Sequence, residues 1–435
     1  MSRHASARGS SQRTFRISPA LALPGIALAG SIAILAWFLA PPALTTPPPL
    51  AQLDADPERG AYLARVANCE TCHTTEGGRP FAGGRRFETD FGTVFSSNIT
   101  SSEDQGIGGW SFKDFHRSMR HGIDADGRPL YPAFPYTSFA ALSDDDIASL
   151  YVHLKSIPPA DAVNRDHQLR FPFGLRFLLH PWNRLFHDPQ PFTADETKSE
   201  AWNRGAYLVQ GPAHCGACHT PRNPLGAERK NLALTGGTLR DRVITGDTVR
   251  WYAIDLTPAS DGLGRWSESD IVSFLTKGQN DHAVVHGPMS EVFANSTRFL
   301  EQEDAAAIAT YLKSLPPHER AGRIDVDRDQ LELGEVLYTV HCGTCHLPDG
   351  DGAEGLGVSL KANPVVRGED PSSLINTILY GPDLPPPPFV TTRTTMRPFG
   401  KRLSDEDIAA IATYLRASFG NEAAPVTEED VTAQR

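Results

Sequence analysis

The sequence is poor in sulfur, with six cysteines and four methionines among 435 residues. No cysteine is left over for a scattered disulfide framework, because the six fall as three close pairs. A basic run is also missing, and the net charge of -11 argues against nucleic acid as a partner, since phosphate binding requires a basic face. Neither a glycine-rich nucleotide loop nor a nucleophile motif occurs, so the chain alone shows no substrate chemistry of an enzyme.

Charged residues are absent between Arg16 and Asp54, and residues 19–40 within this interval are apolar. Such a length is enough for a helix to cross the hydrocarbon core of a membrane. Because arginines precede the run and acidic residues follow it, residues 1–18 are predicted to be a cytoplasmic, basic N-terminus. Residues 19–40 are then a transmembrane anchor in the bacterial inner membrane, and the rest of the protein lies in the periplasm.

A cleaved signal peptide is the alternative interpretation of this apolar run. Ala27 and Ala29 form a small-residue pattern, but cleavage there would leave most of the run on the mature protein. The body of the protein is exported under either interpretation. Residues 41–52 are rich in proline and are predicted to form a semi-rigid spacer between the membrane and the first domain.

The three cysteine pairs share one pattern, Cys-x-x-Cys-His, which reads CETCH (69–73), CGACH (215–219) and CGTCH (342–346). This is the attachment motif of a c-type haem: two thiols form thioethers to the porphyrin, and the adjacent histidine is the proximal ligand of the iron. The predicted attachment residues are Cys69, Cys72, Cys215, Cys218, Cys342 and Cys345, and the predicted proximal ligands are His73, His219 and His346.

A zinc ribbon or a redox dithiol is the alternative interpretation of an isolated Cys-x-x-Cys. The histidine that follows all three pairs argues against both, because three such coincidences are improbable. Three covalently bound haems c are therefore expected. Pro221 and Pro348 follow two of the proximal histidines, and their turns are expected to present a backbone carbonyl to the imidazole.

The sequence around each motif also repeats, which indicates a duplicated unit. A glycine on a short helical pattern precedes each pair, and an amphipathic helix with an acidic N-terminus closes each unit. We expect the two helices to cross closely at the glycine, beside a tyrosine of the closing helix. The glycines are Gly60, Gly205 and Gly334, and the tyrosines are Tyr151, Tyr311 and Tyr414.

The length of the chain is typical of about three domains. The repeats place them at residues 53–158, 197–317 and 325–420, separated by an aromatic linker at 159–196 and followed by a tail at 421–435.

Longer stretches of the chain are similar to a known family. They are FGTVFSSNIT (91–100), GIGGWSFKDF (106–115), DLTPASDGLGRWSESDI (255–271), NDHAVVHGPMSEV (280–292) and PFGKRLSDEDIAAIATYL (398–415). With the three motifs, they resemble the three-haem cytochrome c subunit of membrane-bound bacterial alcohol, gluconate and sorbitol dehydrogenases. The resemblance covers about residues 53–420 and implies a mainly α fold of three tandem class I cytochrome c domains, preceded by the anchor or signal segment.

The resemblance also implies a function. Such a subunit takes electrons from a dehydrogenase catalytic subunit that carries a quinone or flavin cofactor, and passes them to ubiquinone or the respiratory chain. Two alternatives remain: a free-acting multihaem carrier to a terminal oxidase, and a peroxidase that uses an open haem in the first domain.

Methionine is the usual sixth ligand of the iron in this fold. The resemblance implies Met289, in HGPMSEV, for the second domain and Met396, in TTMRPFG, for the third. In the first domain, related subunits read Leu-Tyr-Pro-Ala-Met-Pro-Tyr, and this sequence has Phe134 in place of that methionine. A phenyl ring cannot coordinate iron.

Three possibilities are left for the sixth position of the first haem. Met119, on a predicted helix, is the remaining thioether. His116 or His121 would supply an imidazole instead, and the third possibility is an open site.

The linker contains the stretch LRFPFGLRFLLHPWNRLFHDPQPF (169–192), which is too aromatic for a disordered connection. It is predicted to wrap along the haem domains and bury its rings there. The alternative is a docking strip for the dehydrogenase subunit, the membrane surface or a quinone headgroup.

Overall fold

The computed structural model describes residues 37–318, 326–353, 355–385 and 395–435. These residues are mainly helical, as predicted, and each of the three repeat units has its own hydrophobic core. The predicted anchor at 19–40 lies outside these ranges except for its last four residues. Within the ranges, no helix combines the length and the apolar character needed to span a membrane.

Unit one begins and ends in a helix and holds a small antiparallel sheet. Strand β1 (Arg86–Thr89) pairs with β2 (Gly92–Phe95), and β2 pairs with β3 (Gln168–Leu169) from the linker. The helices of this unit are α1 (Pro57–Val66), α2 (Cys69–His73), α3 (Phe112–His121), α4 (Tyr136–Phe139) and α5 (Asp144–Ser156).

Unit two follows the linker helix α6 (Leu179–Phe186) and repeats this plan. Its hairpin pairs β4 (Gly237–Arg242) with β5 (Thr248–Ala253). Its helices are α7 (Glu200–Gln210), α8 (Gly216–His219), α9 (Glu268–Lys277), α10 (Pro288–Asn295) and α11 (Gln302–Lys313).

Unit three has helices and loops but no β-strand in the part that the structure describes. Its helices are α12 (Arg328–His341), α13 (Gly343–His346), α14 (Pro364–Arg367), α15 (Ser372–Tyr380), α16 (Asp405–Ala417) and α17 (Glu428–Thr432). Short 3₁₀ turns elsewhere in the chain span Leu50–Gln52, Arg176–Leu178, Lys230–Leu232 and Thr297–Phe299.

The first helix of each unit crosses the predicted closing helix, which is α5, α11 or α16, at the predicted glycine. A Cβ atom added to Gly60 would lie 2.0 Å from the carbonyl oxygen of Ser149 in α5. The corresponding distance is 2.0 Å from Gly205 to Ala307 and 2.2 Å from Gly334 to Ala410. Because no side chain fits at such distances, the close crossing is possible only with glycine.

The prediction of a tyrosine at this crossing is confirmed in units two and three and wrong in unit one. The glycines of units two and three face the Cβ atoms of Tyr311 and Tyr414, but Gly60 faces His153. Tyr151 lies two positions earlier in the helix, and its hydroxyl donates to Trp110 O at 2.9 Å. A shift of two residues turns a helical side chain to another face, so Tyr151 cannot reach the crossing.

The predicted tail at 421–435 is part of unit three. Val426 and Val431 are buried in its core. Helix α17 contains Val431 and is capped by Thr427, whose Oγ1 accepts from the Asp430 N–H at 3.2 Å. The sequence TEED at 427–430 carries this capping signal, which the prediction overlooked.

The spacer at 41–52 is also more firmly held than predicted. Thr45 bonds through its N–H and its hydroxyl to Nε2 of His121, at 3.2 and 2.8 Å. Leu50 and Leu53 pack against the core of unit one. The last part of the spacer is thus joined to the first unit.

Candidate haem sites

Each Cys-x-x-Cys-His motif forms a short helix that follows the first helix of its unit, with Cys215 and Cys342 as the N-caps in units two and three. The six thiols are free, and residues three apart on a helical turn lie on the same side, as attachment to one porphyrin edge requires. Burial raises the pKa of Cys69 and of Cys215 to about 12, so these thiols are protonated in the apoprotein.

Each of the three predicted proximal histidines makes the same kind of hydrogen bond, in which its Nδ1 donates to a backbone carbonyl oxygen. The pairs are His73 with Ser97 at 2.7 Å, His219 with Ile254 at 2.7 Å and His346 with Val358 at 2.8 Å. When the proton is on Nδ1, Nε2 carries none and its lone pair is available to a metal. This is the arrangement of an imidazole that ligates a metal. Burial lowers the pKa of all three and keeps the rings neutral. These residues fit a haem iron.

The carbonyls that orient the imidazoles do not come from the expected prolines. In units one and two they come directly after the hairpins, at Ser97 beyond β2 and at Ile254 at the end of β5. The small sheets therefore hold the acceptors of two imidazoles. Pro221 and Pro348 do not have this role.

A glycine bonds to the backbone of each proximal histidine, which the sequence analysis missed. Its N–H donates to the histidine carbonyl oxygen, and its φ is positive, a conformation that favours glycine. The pairs are Gly83 with His73 at 2.6 Å, Gly236 with His219 at 2.9 Å and Gly352 with His346 at 3.0 Å, and the φ angles are 73°, 95° and 77°. Each glycine belongs to a Gly-Gly or Gly-x-Gly sequence, which is the signal that was available.

The predicted sixth ligand of unit two lies in a helix, and that of unit three lies in a loop. Met289 is the second residue of α10, and Met396 lies in the segment before α16 and packs against the core of unit three. Both side chains are half-buried.

In unit one, Met119 and Phe134 pack against the same core as Cys69. Met119 is buried, with 6% of its surface exposed, and Phe134 is half-buried, with its ring 5.4 Å from that of Phe139. Both side chains therefore lie in the part of unit one that packs beside the first motif.

The two histidines considered for unit one already have other partners. Nε2 of His116 lies 2.9 Å from Oδ1 of Asp144, and Nε2 of His121 is bonded to Thr45. Burial, with a smaller contribution from neighbouring His187, lowers the pKa of His121 to about 4. Ligation by either Nε2 would require these hydrogen bonds to break.

Helix α10, which carries Met289, is hydrogen-bonded to α2, the predicted haem-attachment helix of unit one. Asn295 Nδ2 donates to Thr71 Oγ1 at 2.7 Å. Glu291 forms a bidentate ion pair with Arg85, and the same guanidinium donates to the Thr71 carbonyl at 2.8 Å. The predicted ligand helix of unit two thus holds the attachment site of unit one.

The other side of α10 is bonded to unit three. The Gly287 N–H donates to the Asp383 carbonyl at 2.9 Å, and Ser290 Oγ donates to the same oxygen at 2.5 Å. Asp383 lies between α15 and Met396. Helix α10 therefore joins all three units close to their predicted haem sites.

Units one and two also exchange a matching pair of hydrogen bonds. Tyr62 of α1 donates to Asp304 of α11 at 2.5 Å, and Tyr207 of α7 donates to Asp146 of α5. Arg204 forms a bidentate pair with Asp304, both bonds at 2.7 Å. Burial opposes the charge on Asp304, but the hydrogen bonds from Arg204 and Tyr62 hold its pKa below the ordinary value.

Comparison with known proteins assigns this chain to a family. The chain is 38% identical over 400 residues to the gluconate 2-dehydrogenase cytochrome c subunit of Pantoea cypripedii, which covers 88% of this chain and 90% of the relative. The chain belongs to the cytochrome c subunits of dehydrogenases. This cytochrome is also 37% identical over 385 residues to the cytochrome c subunit of the quinone alcohol dehydrogenase of Gluconobacter oxydans (strain 621H), with 84% of the chain and 79% of the relative covered.

Another relative is the fructose dehydrogenase cytochrome subunit of Gluconobacter japonicus, 36% identical over 430 residues that cover 90% of this cytochrome and 85% of the relative. A family model for subunit III of cbb3-type cytochrome c oxidase matches residues 329–415, which include the third motif and Met396. The cytochrome therefore binds haem c and transfers electrons, as its motifs predicted.

Proposed function

We propose that this cytochrome carries three haems c and passes electrons from a dehydrogenase catalytic subunit, with a quinone or flavin cofactor, to ubiquinone. The apolar run at 19–40 tethers it to the inner membrane, and its haem domains lie in the periplasm. The similarity to cytochrome subunits of gluconate, alcohol and fructose dehydrogenases along most of the chain supports such a partner.

The observation that carries the proposal is the junction at α10. Bound haem supplies reversible one-electron oxidation and reduction of its iron. The chain keeps the attachment helix of unit one, the Met289 helix of unit two and the Asp383 loop of unit three in direct hydrogen-bonded contact. Three sites in one connected frame, each with a carbonyl-oriented imidazole, suit a conduit better than three independent carriers.

The proposal is tested with haem-loaded protein extracted in mild detergent. We expect three covalent haems per chain by mass spectrometry of the intact polypeptide and a copurifying dehydrogenase subunit. Adding the substrate of that subunit should increase the absorbance of the α band of reduced haem. A soluble ubiquinone analogue added afterwards should reoxidise the haem and remove this absorbance. A monomer without a partner, reoxidised by a terminal oxidase and not by the quinone, would instead favour the free-acting carrier.

A second function, peroxide reduction at the first haem, is favoured by Phe134. This residue replaces the methionine of related subunits and packs beside the core that contains Cys69, while Nε2 of His116 and of His121 bind other groups. An iron without a sixth protein ligand is open to small molecules. Reduction of hydrogen peroxide to two water molecules would take two protons and two electrons, the electrons coming from the reduced cytochrome.

The Phe134→Met variant separates the two functions. If the first site is open, the oxidised wild-type protein should show a high-spin signal in low-temperature electron paramagnetic resonance, and the variant should replace it with a low-spin signal. The potential of the first haem should rise, and peroxide turnover should fall to the background rate. Met119→Leu is the matched control and should change neither signal nor turnover. Three low-spin signals in the wild type, with loss of one in Met119→Leu, would make Met119 the ligand.

A further inference from the structure

Exposed apolar side chains are concentrated in the linker. Among the described residues, 13 large apolar side chains are exposed, and five of them lie between positions 171 and 185. They are Phe171 (86% exposed), Phe173, Leu175, Phe177 and Leu185. We call residues 171–186 the aromatic strip. Such a concentration marks an interaction surface rather than the scattered apolar residues of an ordinary surface.

The aromatic strip is held to the protein by its polar groups. The Trp182 Nε1–H donates to Leu225 O at 2.9 Å, and the buried Asn183 accepts from Tyr136 Oη at 2.6 Å. Arg176 donates to Pro129 O at 2.8 Å. The predicted wrapping along units one and two is therefore correct for the backbone. Phe173 packs edge-to-face against Phe91, with the ring centres 4.7 Å apart. The other four exposed side chains are presented outward by this segment, so wrapping does not account for them.

The strip adjoins the point where the apolar run at 19–40 ends. The Arg184 guanidinium of α6 lies 4.3 Å from the centre of the Trp37 ring and donates to the Ala40 carbonyl at 3.1 Å. Trp37 itself is 57% exposed. A bilayer that receives the apolar run would therefore begin next to the strip, and tryptophan is enriched at that depth of a membrane.

The charge of the strip suits an anionic surface. Between Asp166 and Asp188 the sequence has Arg170, Arg176 and Arg184 but no acidic residue, in a chain with a net charge of -11. Basic residues interleaved with large apolar ones are typical of segments that lie in the headgroup region of anionic lipids. A protein partner would not explain why this surface adjoins Trp37.

We propose that the aromatic strip lies in the headgroup region of a lipid bilayer, beside the entry point of residues 19–40. This inference rests on the proposed membrane tethering and extends it, because it turns unit one and the linker toward the membrane surface. A flexible tether alone would leave the orientation of the haem domains open.

The test uses the haem-loaded full chain in liposomes of phosphatidylcholine and phosphatidylglycerol that contain a photoactivatable carbene lipid. After illumination and trypsin digestion, we expect label in the peptides 171–176 and 177–184 and in the anchor peptide 17–59. Peptide 243–250 is the matched control, because Ile244 is 65% exposed but lies in the hairpin of unit two, and it should carry no label.

A combined Phe171→Ser, Phe177→Ser and Leu185→Ser variant should lose the label in the strip and keep a normal reduced α band, since all three side chains are exposed. Label in peptide 17–59 without label in the strip would overturn this inference and leave the tethering intact. Absence of label from peptide 17–59 as well would overturn both. Equal label in peptide 243–250 would show unspecific reaction and also overturn the inference.

Discussion

The Gly205→Ala variant is expected to lose stability in unit two, although alanine normally stabilises a helix by about 1 kcal/mol relative to glycine. The new Cβ would lie 2.0 Å from the Ala307 carbonyl oxygen and 2.9 Å from Tyr311 Cβ. Because the obstructing atoms include the backbone of α11, the two helices must move apart. Overpacking of this kind costs about 1–3 kcal/mol or more.

Thermal unfolding and hydrogen exchange of α7 and α11 measure this effect. Each kcal/mol lost should lower the melting temperature of the unit by about 2–8 °C. Gly174→Ala is the matched control, because a Cβ at Gly174 would meet nothing within 4 Å. Unchanged exchange in Gly205→Ala, or an equal loss in the control, would contradict the close crossing. Gly60→Ala and Gly334→Ala should behave like Gly205→Ala, since their distances are 2.0 and 2.2 Å.

Replacing Cys215 and Cys218 by alanine together is expected to remove one haem and divide the conduit. The thioether bonds of the second site cannot form without these thiols. Unit two contacts both neighbours through α10, at Thr71 of unit one and at Asp383 of unit three. In the variant, substrate acting through the partner subunit should therefore rapidly reduce only one of the two remaining haems.

The intact mass of the variant measures the loss of one haem. Stopped-flow absorbance of the α band measures how many of the remaining haems are rapidly reduced. Cys342→Ala with Cys345→Ala is the matched comparison, because it also removes one haem but leaves units one and two in contact. In this second variant, both remaining haems should be reduced together if electrons enter at unit one or unit two. Neither should be reduced if electrons enter at unit three. A full haem complement in the Cys215 and Cys218 variant would contradict the attachment assignment. Rapid reduction of both remaining haems would contradict a path that passes through the second haem.

Local sequence was sufficient for features that depend on a few neighbouring residues. The helical patterns of the repeats predicted the first and closing helices of each unit and their pairing. Ser143 and Ser404 are each followed by an aspartate three residues later, which is a local signal of an N-cap, and each accepts from the third following backbone N–H at 3.1 Å. The RGAYL sequence at 59–63 and 204–208 repeats, yet its part in joining units one and two was not apparent, because Asp304 and Asp146 are remote in sequence.

Errors arose where a residue's role depends on the exact face or distance. Tyr151 carries the right residue type but lies two positions from the crossing, where His153 stands. Pro221 and Pro348 follow the motifs closely, whereas the carbonyls that bind His73 and His219 come from residues 24 and 35 positions later. Valines 426 and 431 were assigned to a tail because their burial requires the core of unit three to exist first.

The sequence by itself determined the chemistry of the cytochrome, because covalent haem attachment needs only two thiols and a histidine at fixed spacing on one turn. Tertiary structure alone decided how the units are joined. The contacts of α10, and those that hold the aromatic strip against Pro129, Leu225 and Trp37, bring together groups far apart in the chain. Their distances follow from packing, which no local pattern specifies.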